Sequence, residues 1–569
     1  MLAHGVIHSR AVARLSSSIS EIAPAYDAVV VGSGYGGAIA AYRLAGAHWP
    51  ASRERFKVCV LERGREIRPG AYPNTLVKAL GEIQVDAPGR HLFSSTALFD
   101  FRLNREINVL VGCGLGGTSL INANVVIPPS PWVFEDPHWP EAFRRDLRPL
   151  VNGFAEAADV FAPTAYPADT FPMLAKQSAL ARAGAGLRGA RFAAPRVNVA
   201  FVPEPDDRLA PHRACTGCGD CVSGCNYDAK KTLLSNYLYL AHRRGADIFT
   251  ETAVRSVARE GDHWVVHFDR TGQSETGVAP RLAVRAPIVI LAAGTLGSTE
   301  ILLRSRAHGL AVSDKLGQRF TSNGDVIALA YDCALPIDGV GAGSRRPDPH
   351  RPVGPCIAGM IDLRGDGADE RGMIIQEGAI PGALSPVLPL MLAAAAAGWG
   401  QRTGRVEGLP SASPLTRWSR FLAGAYHGAV RRTQTFLVMT HDDAGGTMML
   451  ADDRVRIEWR GLQGQDIFKR VDAQLRRATA ALGGIYVPNP FRPITVHPLG
   501  GCGMGNSATD GVVDHEGRVF DPDSGMPHDG LYVCDGSVIP RSLGVNPLFT
   551  IAALAERTSA LLLARIQAA

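Results

Sequence analysis

Residues 26–45 read YDAVVVGSGYGGAIAAYRLA: a β-branched run, then Gly32, Gly34 and Gly37, then an apolar pattern of helical period. This order constrains the chain more than any other stretch, because it predicts a strand, a tight turn and a helix in immediate succession. The first glycine permits the turn, the second lets main chain approach a pyrophosphate, and the third allows close helix packing, with phosphates resting on the helix N-terminus. A second strand, FKVCVLERG, ends at Glu62, whose carboxylate is placed to accept hydrogen bonds from an adenosine ribose. The strand before the glycines and the acid after them make this a dinucleotide-binding unit.

NAD and FAD share that fingerprint, and a second glycine-rich segment separates them. NREINVLVGCGLGGTSLINANVVIPP predicts a strand and then a turn carrying Gly112, Gly114, Gly116 and Gly117. Such a turn lets main chain pass close against a flat ring.

Near the C-terminus, His497 lies in VHPLGGCGMG and Asn546 opens GVNPLFTIAALAERT, where Asn is expected to cap a helix and Pro547 to take its first turn. A titratable base, a polar side chain and a helix N-terminus can there be aimed at one reacting atom. The competing reading of His497 is a packed core histidine. His515 and His528 lack such surroundings and read as surface loop residues.

RACTGCGDCVSGCNYDAKK places Cys215, Cys218, Cys221 and Cys225 at the C-x2-C-x2-C-x3-C spacing that wraps an iron-sulfur cluster in bacterial ferredoxins. One motif allows a 4Fe-4S centre on four thiolates or a 3Fe-4S centre on three. Zinc fits less well, since structural sites separate two Cys pairs by a longer loop, and disulfides in so tight a group would be strained. A purely structural Cys loop is the remaining reading.

With these motifs in place, the chain resembles the glucose-methanol-choline oxidoreductase family over nearly its whole length, and within it the cholesterol oxidase branch. The resemblance implies that Tyr35 and Gly36 hold the FAD pyrophosphate and Glu62 the ribose, and that Gly112, Gly117, Thr118, Asn122 and Val125 lie beside the isoalloxazine. It places Val254 against the adenine, and Asp535 and Gly536 at the ribityl chain and pyrophosphate. Ile121 stands where some members attach FAD through a His, which implies non-covalent FAD. The helix opening at Pro547 and Leu548 presents bare N–H groups to the flavin's pyrimidine edge.

The implied reaction is oxidation of an alcohol to a ketone. His497 takes the hydroxyl proton, Asn546 orients the oxygen, and hydride passes to flavin N5. Glu377, in MIIQEGAIPG, resembles a carboxylate that cholesterol oxidases use to shift a proton during isomerisation of a steroid ketone; its apolar flanks would raise its pKa if it is buried. The expected substrate is a bulky apolar, sterol-like secondary alcohol. If the cysteines bind a cluster, electrons leave through it to a quinone, cytochrome or ferredoxin. If they are structural, oxygen is the acceptor. A non-catalytic flavin and iron-sulfur electron carrier is the reading from another class.

The expected architecture is an α/β, Rossmann-like FAD-binding domain from residues 24–130, 200–316 and 495–569. An α+β substrate domain with a large antiparallel sheet, to which TFLVMTH and RVRIEW contribute, comes from 131–199 and 317–494, and residues 1–23 form an arm. The length of 569 residues requires more than one core, and a net charge of +5 on so long a chain is no nucleic-acid signature. Scattered cysteines outside the motif suit reduced thiols and a cytoplasmic location. Residues 378–400 carry no charge, but Pro381, Pro386 and Pro389 interrupt them. They read as a buried helix, followed by a solvated amphipathic one, or else residues 384–432 form a lid making peripheral membrane contact.

Overall fold

The computed structural model describes residues 14–204, 208–272, 282–365, 372–403, 419–420 and 422–568. Its first sheet has six strands in the order Asp247–Phe249, Val58–Leu61, Ala28–Val31, Ile288–Leu291, Pro527–Val533 and Arg518–Phe520. All neighbours are parallel except the last pair. Parallel strands covered on both faces need apolar side chains at every position, which is what VVV, VCVL and IVIL supply. Ala28, Val30, Val58 and Val60 face a layer containing the helices Tyr35–Ala45 and Leu548–Ala568. Val29, Val31, Cys59 and Leu61 face the helix Gly294–Ala307 and a three-stranded antiparallel sheet, Thr252–Glu260, His263–Arg270 and Leu282–Ala286.

A second large sheet has seven strands in the order Gln401–Arg402, Ile485–Pro488, Val326–Tyr331, Gln434–Met439, Ile374–Gly378, Met360–Asp362 and Arg191–Ala193. Every pairing in it is antiparallel. Helices Ala175–Ala185 and Asp466–Leu482 cover one face, burying Ala328, Ile375, Phe436 and Val438. A mixed five-stranded sheet pairs Asn108–Gly112, which opens the second glycine loop, with Ile494–Thr495, which leads to His497. The chain is thus a mixed α/β protein with a dinucleotide-binding sheet and a larger antiparallel one.

Several expectations change. RVRIEW does not join the large sheet; Arg454–Glu458 pairs only with Thr447–Ala451, as a hairpin. Residues 378–400 hold a short turn, Gly382–Leu384, and a 12-residue helix, Leu388–Trp399. That helix is not a core helix: Leu388 alone is buried, and Leu390 and Met391 are 70% and 58% exposed. Among the described residues no helix is long and apolar enough to cross a membrane. Residues 404–418 and 421 of the expected lid lie outside the described residues. His528 sits on the strand Pro527–Val533 rather than a loop, with Nε2 2.7 Å from the Ala311 carbonyl. His515 lies in a turn but is half-buried, with Nδ1 3.0 Å from the Arg557 guanidinium.

Candidate active site

The glycine turns converge. Gly34 precedes the helix Tyr35–Ala45 with no side-chain cap, and a Cβ there would enter open space, so the first-turn N–H groups face a gap. A Cβ on Gly36 would strike the Cys534 carbonyl, which shows how tightly this helix start is pressed against the end of Pro527–Val533. Bare helix N-terminal donors beside open space fit a pyrophosphate. Glu62 is buried, and its carboxylate accepts from Ser33 N (3.1 Å), Ser33 Oγ (2.6 Å) and Gly64 N (2.7 Å). Ser33 Oγ in turn accepts from Gly116 N at 2.9 Å, which ties the first turn to the second.

In the second loop, Thr118 Oγ1 accepts from Gly112 N at 3.1 Å, and Asn122 Nδ2 donates to Tyr35 Oη at 2.8 Å. Gly117 lies against Gly34, since a Cβ on it would come within 3.1 Å of the Gly34 Cα. Val125 is buried on the strand Val125–Val126, and Val254 is half-buried beside a bulge in Thr252–Glu260. Asp535 is buried; its carboxylate accepts from Gly294 N, Ser298 Oγ and both donors of Ser537, and burial pushes its pKa up. Protein donors engage both its oxygens, so its side chain braces Gly294 and the turn Gly536–Val538.

His497 and Asn546 come together, with His497 Nε2 3.5 Å from Asn546 Nδ2. Asp325, absent from the sequence reading, holds the other imidazole nitrogen: Nδ1 lies 2.8 Å from Asp325 Oδ1. A carboxylate only accepts, so Nδ1 carries the proton and Nε2 is left as an acceptor facing the site. Asp325 Oδ2 also accepts from Thr495 Oγ1, Val496 N and His497 N, which fixes the segment as well as the ring. Two residues earlier, Asn323 accepts from Leu543 N and Gly544 N and donates to the Val545 carbonyl at 2.7 Å. The SNGD turn therefore clamps both the His497 and the Asn546 segments. Its residues look like solvent-loop chemistry, yet Asn323 and Asp325 are 0% and 3% exposed; a polar turn leading into the apolar run VIALAY was the available signal.

Asn546 does not cap the C-terminal helix. That helix begins at Leu548, the Pro547 carbonyl accepts its first bond from Ile551 N at 2.9 Å, and the Asn546 side chain turns to Gln376 instead. Gln376 Nε2 donates to Asn546 Oδ1 at 2.7 Å, and Asn546 Nδ2 lies 3.3 Å from Gln376 Oε1. Gln376 is the second residue the sequence reading missed. Adjacent strand residues face opposite ways, so Glu377 points with Ile375 toward the helix layer. There it is fully buried, pairs with Lys176 Nζ at 2.7 Å and accepts from Ala358 N and Gly359 N. The structure brings Gln376 to Asn546 beside His497 and does not bring Glu377.

Cys215, Cys218, Cys221 and Cys225 line one small cavity. Burial pushes Cys215 up to about 11 and Cys218 up to about 12, and neighbouring thiols add to both shifts. All cysteines are unpaired, and among the described residues no three His, Cys, Asp or Glu side chains are gathered closely enough to hold a metal ion. Lys230 joins this loop to the second glycine loop. Its Nζ donates to the carbonyls of Cys221 (3.1 Å), Leu120 (3.0 Å) and Asn122 (2.7 Å), and burial pulls its pKa down to about 8.

A dinucleotide cradle and an oriented histidine in one chain fit the class of enzymes that oxidise CH–OH donors with a flavin. Family models described as GMC oxidoreductase match residues 26–323 and 470–555, so the chain belongs to the GMC oxidoreductase family, the FAD-dependent oxidoreductases acting on CH–OH donors. It is 29% identical over 588 residues to a cholesterol oxidase of Mycobacterium tuberculosis, covering 95% of this chain and 91% of that one. A cholesterol oxidase of Acinetobacter baumannii is 29% identical over 582 residues, 94% and 93% of the two chains. A long-chain-alcohol oxidase of Arabidopsis thaliana is 22% identical over 554 residues, 92% of this chain and 65% of that one. In fold, the chain is similar to Aspergillus oryzae formate oxidase (TM-score 0.60, 14% identity, 95% and 98% covered) and to pyridoxine 4-oxidase from Mesorbium loti (TM-score 0.55, 17%, 94% and 99%).

Proposed function

We propose that the protein oxidises a bulky, apolar, sterol-like secondary alcohol to the ketone. The arrangement that carries this reading is the Asp325–His497–Asn546–Gln376 group, with one imidazole nitrogen held and the other left to accept. His497 Nε2 takes the hydroxyl proton, and Asp325 compensates the charge that this places on the ring. Asn546, held by Gln376, donates to the same oxygen and fixes the carbon's approach. Bound FAD would supply the hydride acceptor, with Gly32, Gly34, Tyr35, Gly36, Gly37, Glu62, Gly112, Gly117, Thr118, Asn122, Val125, Val254, Gly536, Pro547 and Leu548 around it and Asp535 bracing the turn beside it. The likeness to cholesterol oxidases and to a long-chain-alcohol oxidase supports an apolar alcohol. Gln376 is an amide, and Glu377 faces Lys176, so the proposed reaction ends at the ketone without a double-bond shift.

Cys215, Cys218, Cys221 and Cys225 would hold an iron-sulfur cluster and pass electrons outward only if their thiols drew closer than they stand, and Lys230 Nζ ties their loop to the second glycine loop. With the thiols free, oxygen is the acceptor. Anaerobic mixing with sterols and with primary long-chain alcohols tests the substrate reading: bleaching of the flavin by sterols is expected, and bleaching by primary alcohols alone would reject it.

A further inference from the structure

The strand pair that follows the second glycine loop carries buried amides whose side chains have no partner in the protein. Val125–Val126 runs antiparallel to Arg196–Val197, with Val125 opposite Val197 and Val126 opposite Arg196. One residue further, Asn198 N donates to the Asn124 carbonyl at 2.9 Å, so Asn198 and Asn124 face each other in continuation of that register. Directly opposed residues carry neighbouring side chains. Asn198 and Asn124 are 1% and 2% exposed. Among the described residues, Asn198 Oδ1, Asn198 Nδ2 and Asn124 Nδ2 have no hydrogen-bond partner. Two residues back, Asn122 Oδ1 has none either, although its Nδ2 is held by Tyr35. A buried amide without partners is costly, and native interiors hold few of them. Their concentration in one short stretch points to a ligand that supplies the partners.

The position narrows the ligand to the family's cofactor, FAD. Asn124 stands between Asn122 and Val125, the two residues given to the isoalloxazine. Val126 packs in the same apolar cluster as Leu548 and Phe549, at the start of the C-terminal helix. The donor pattern then selects the part of FAD. Asn124 Nδ2, Asn198 Oδ1 and Asn198 Nδ2 offer two donors and one acceptor. The imide edge of a flavin offers the complement, two acceptors at C2=O and C4=O flanking one donor at N3–H. Phosphate oxygens would leave Asn198 Oδ1 without a donor, and the adenine is given to Val254, on a different sheet. We propose that Asn198 and Asn124 bind the imide edge of the isoalloxazine, Asn198 pairing with N3–H and one flanking carbonyl while Asn124 donates to the other. Such a clamp fixes the ring in its own plane, and with it the approach of the substrate carbon.

Asn124 has a φ of +66°, a conformation that Asn adopts more readily than most residues, so its identity has a backbone reason as well. Asn198 has no positive φ and carries the test. Full-length apoprotein is titrated with FAD and with FAD methylated at N3, followed by quenching of flavin fluorescence. The parent is expected to bind FAD roughly tenfold or more tighter than the methylated form, because the methyl group removes the donor that Asn198 Oδ1 accepts. Asn198→Leu is expected to weaken FAD by a similar factor and to bind the two flavins alike. Its apoprotein is expected to resist urea at least as well as the parent, since an apolar side chain replaces a buried amide without partners. Asn198→Ala asks for no extra room and carries the same flavin expectation. Asn124→Gly keeps the positive φ and removes one donor, so both flavins weaken while the preference for FAD remains. A parent without that preference, or a preference that survives in Asn198→Leu or Asn198→Ala, overturns the proposal. So does an Asn198→Leu apoprotein that loses urea resistance at unchanged FAD affinity, which would make Asn198 a packing residue alone.

Discussion

Asp325 Oδ1 lies 2.8 Å from His497 Nδ1, although the two residues are 172 positions apart in the chain. The contact places the imidazole proton on Nδ1 and leaves Nε2 as the open acceptor. Asp325→Asn keeps the shape but can present an N–H to the ring, which favours the wrong tautomer. FAD content is expected to stay at the parent level while alcohol-driven flavin reduction slows by about 10² to 10⁴. Stopped-flow bleaching of the flavin checks it, and an unchanged rate would remove Asp325 from the account.

Gln376 and Glu377 are neighbours with opposite duties. Gln376→Leu leaves the Asn546 amide without its partner in a buried site, a loss of about 1–3 kcal/mol in unfolding free energy, and releases Asn546 from its set orientation, so kcat/KM is expected to fall about ten- to a hundredfold. Glu377→Gln acts the other way. It leaves the Lys176 ammonium buried without its counter-ion, a loss of about 3–5 kcal/mol in unfolding free energy, while flavin reduction in the folded fraction continues. Urea unfolding beside single-turnover kinetics separates the two; a stable but inactive Glu377→Gln would return that residue to the catalytic list.

Acid should unfold the protein through two buried carboxylates. Burial alone would raise Asp100 and Glu300, but Arg102 and Arg63 around the first, and Arg304 and Arg102 around the second, hold each at about 2. A depressed folded pKa stabilises above the unfolded value of about 4 and loses that contribution as pH falls toward 2. Each group contributes about 2–3 kcal/mol at neutral pH on that basis. Asp100→Asn is expected to flatten the fall in stability between about pH 4 and 2, measured by denaturant unfolding across that range.

If the cysteine loop carries a cluster, anaerobically purified protein contains iron and sulfide together with flavin, and Cys221→Ser loses the iron while keeping the flavin. Flavin bands without iron would turn the acceptor question back toward oxygen.

The sequence made the dinucleotide turn legible because strand, glycines and helix are contiguous and each residue type has a local reason. His497 and Asn546 were legible for a similar reason, each embedded in a recognisable local run. Asp325, Gln376 and Lys230 were not, since their importance lies in partners 172, 170 and 108 positions away. Glu377 shows the limit most clearly. Its motif pointed to the site, but strand alternation turns its carboxylate to the opposite face, and one residue of register exchanges an amide for an acid.

His497 Nε2 is the proposed base for alcohol oxidation. The most direct measurement is anaerobic stopped-flow reduction of bound FAD by a sterol in parent and His497→Ala proteins of equal flavin content. Normal flavin binding with reduction slowed by at least about 10² is expected; reduction of the variant at the parent rate would remove His497 as the base.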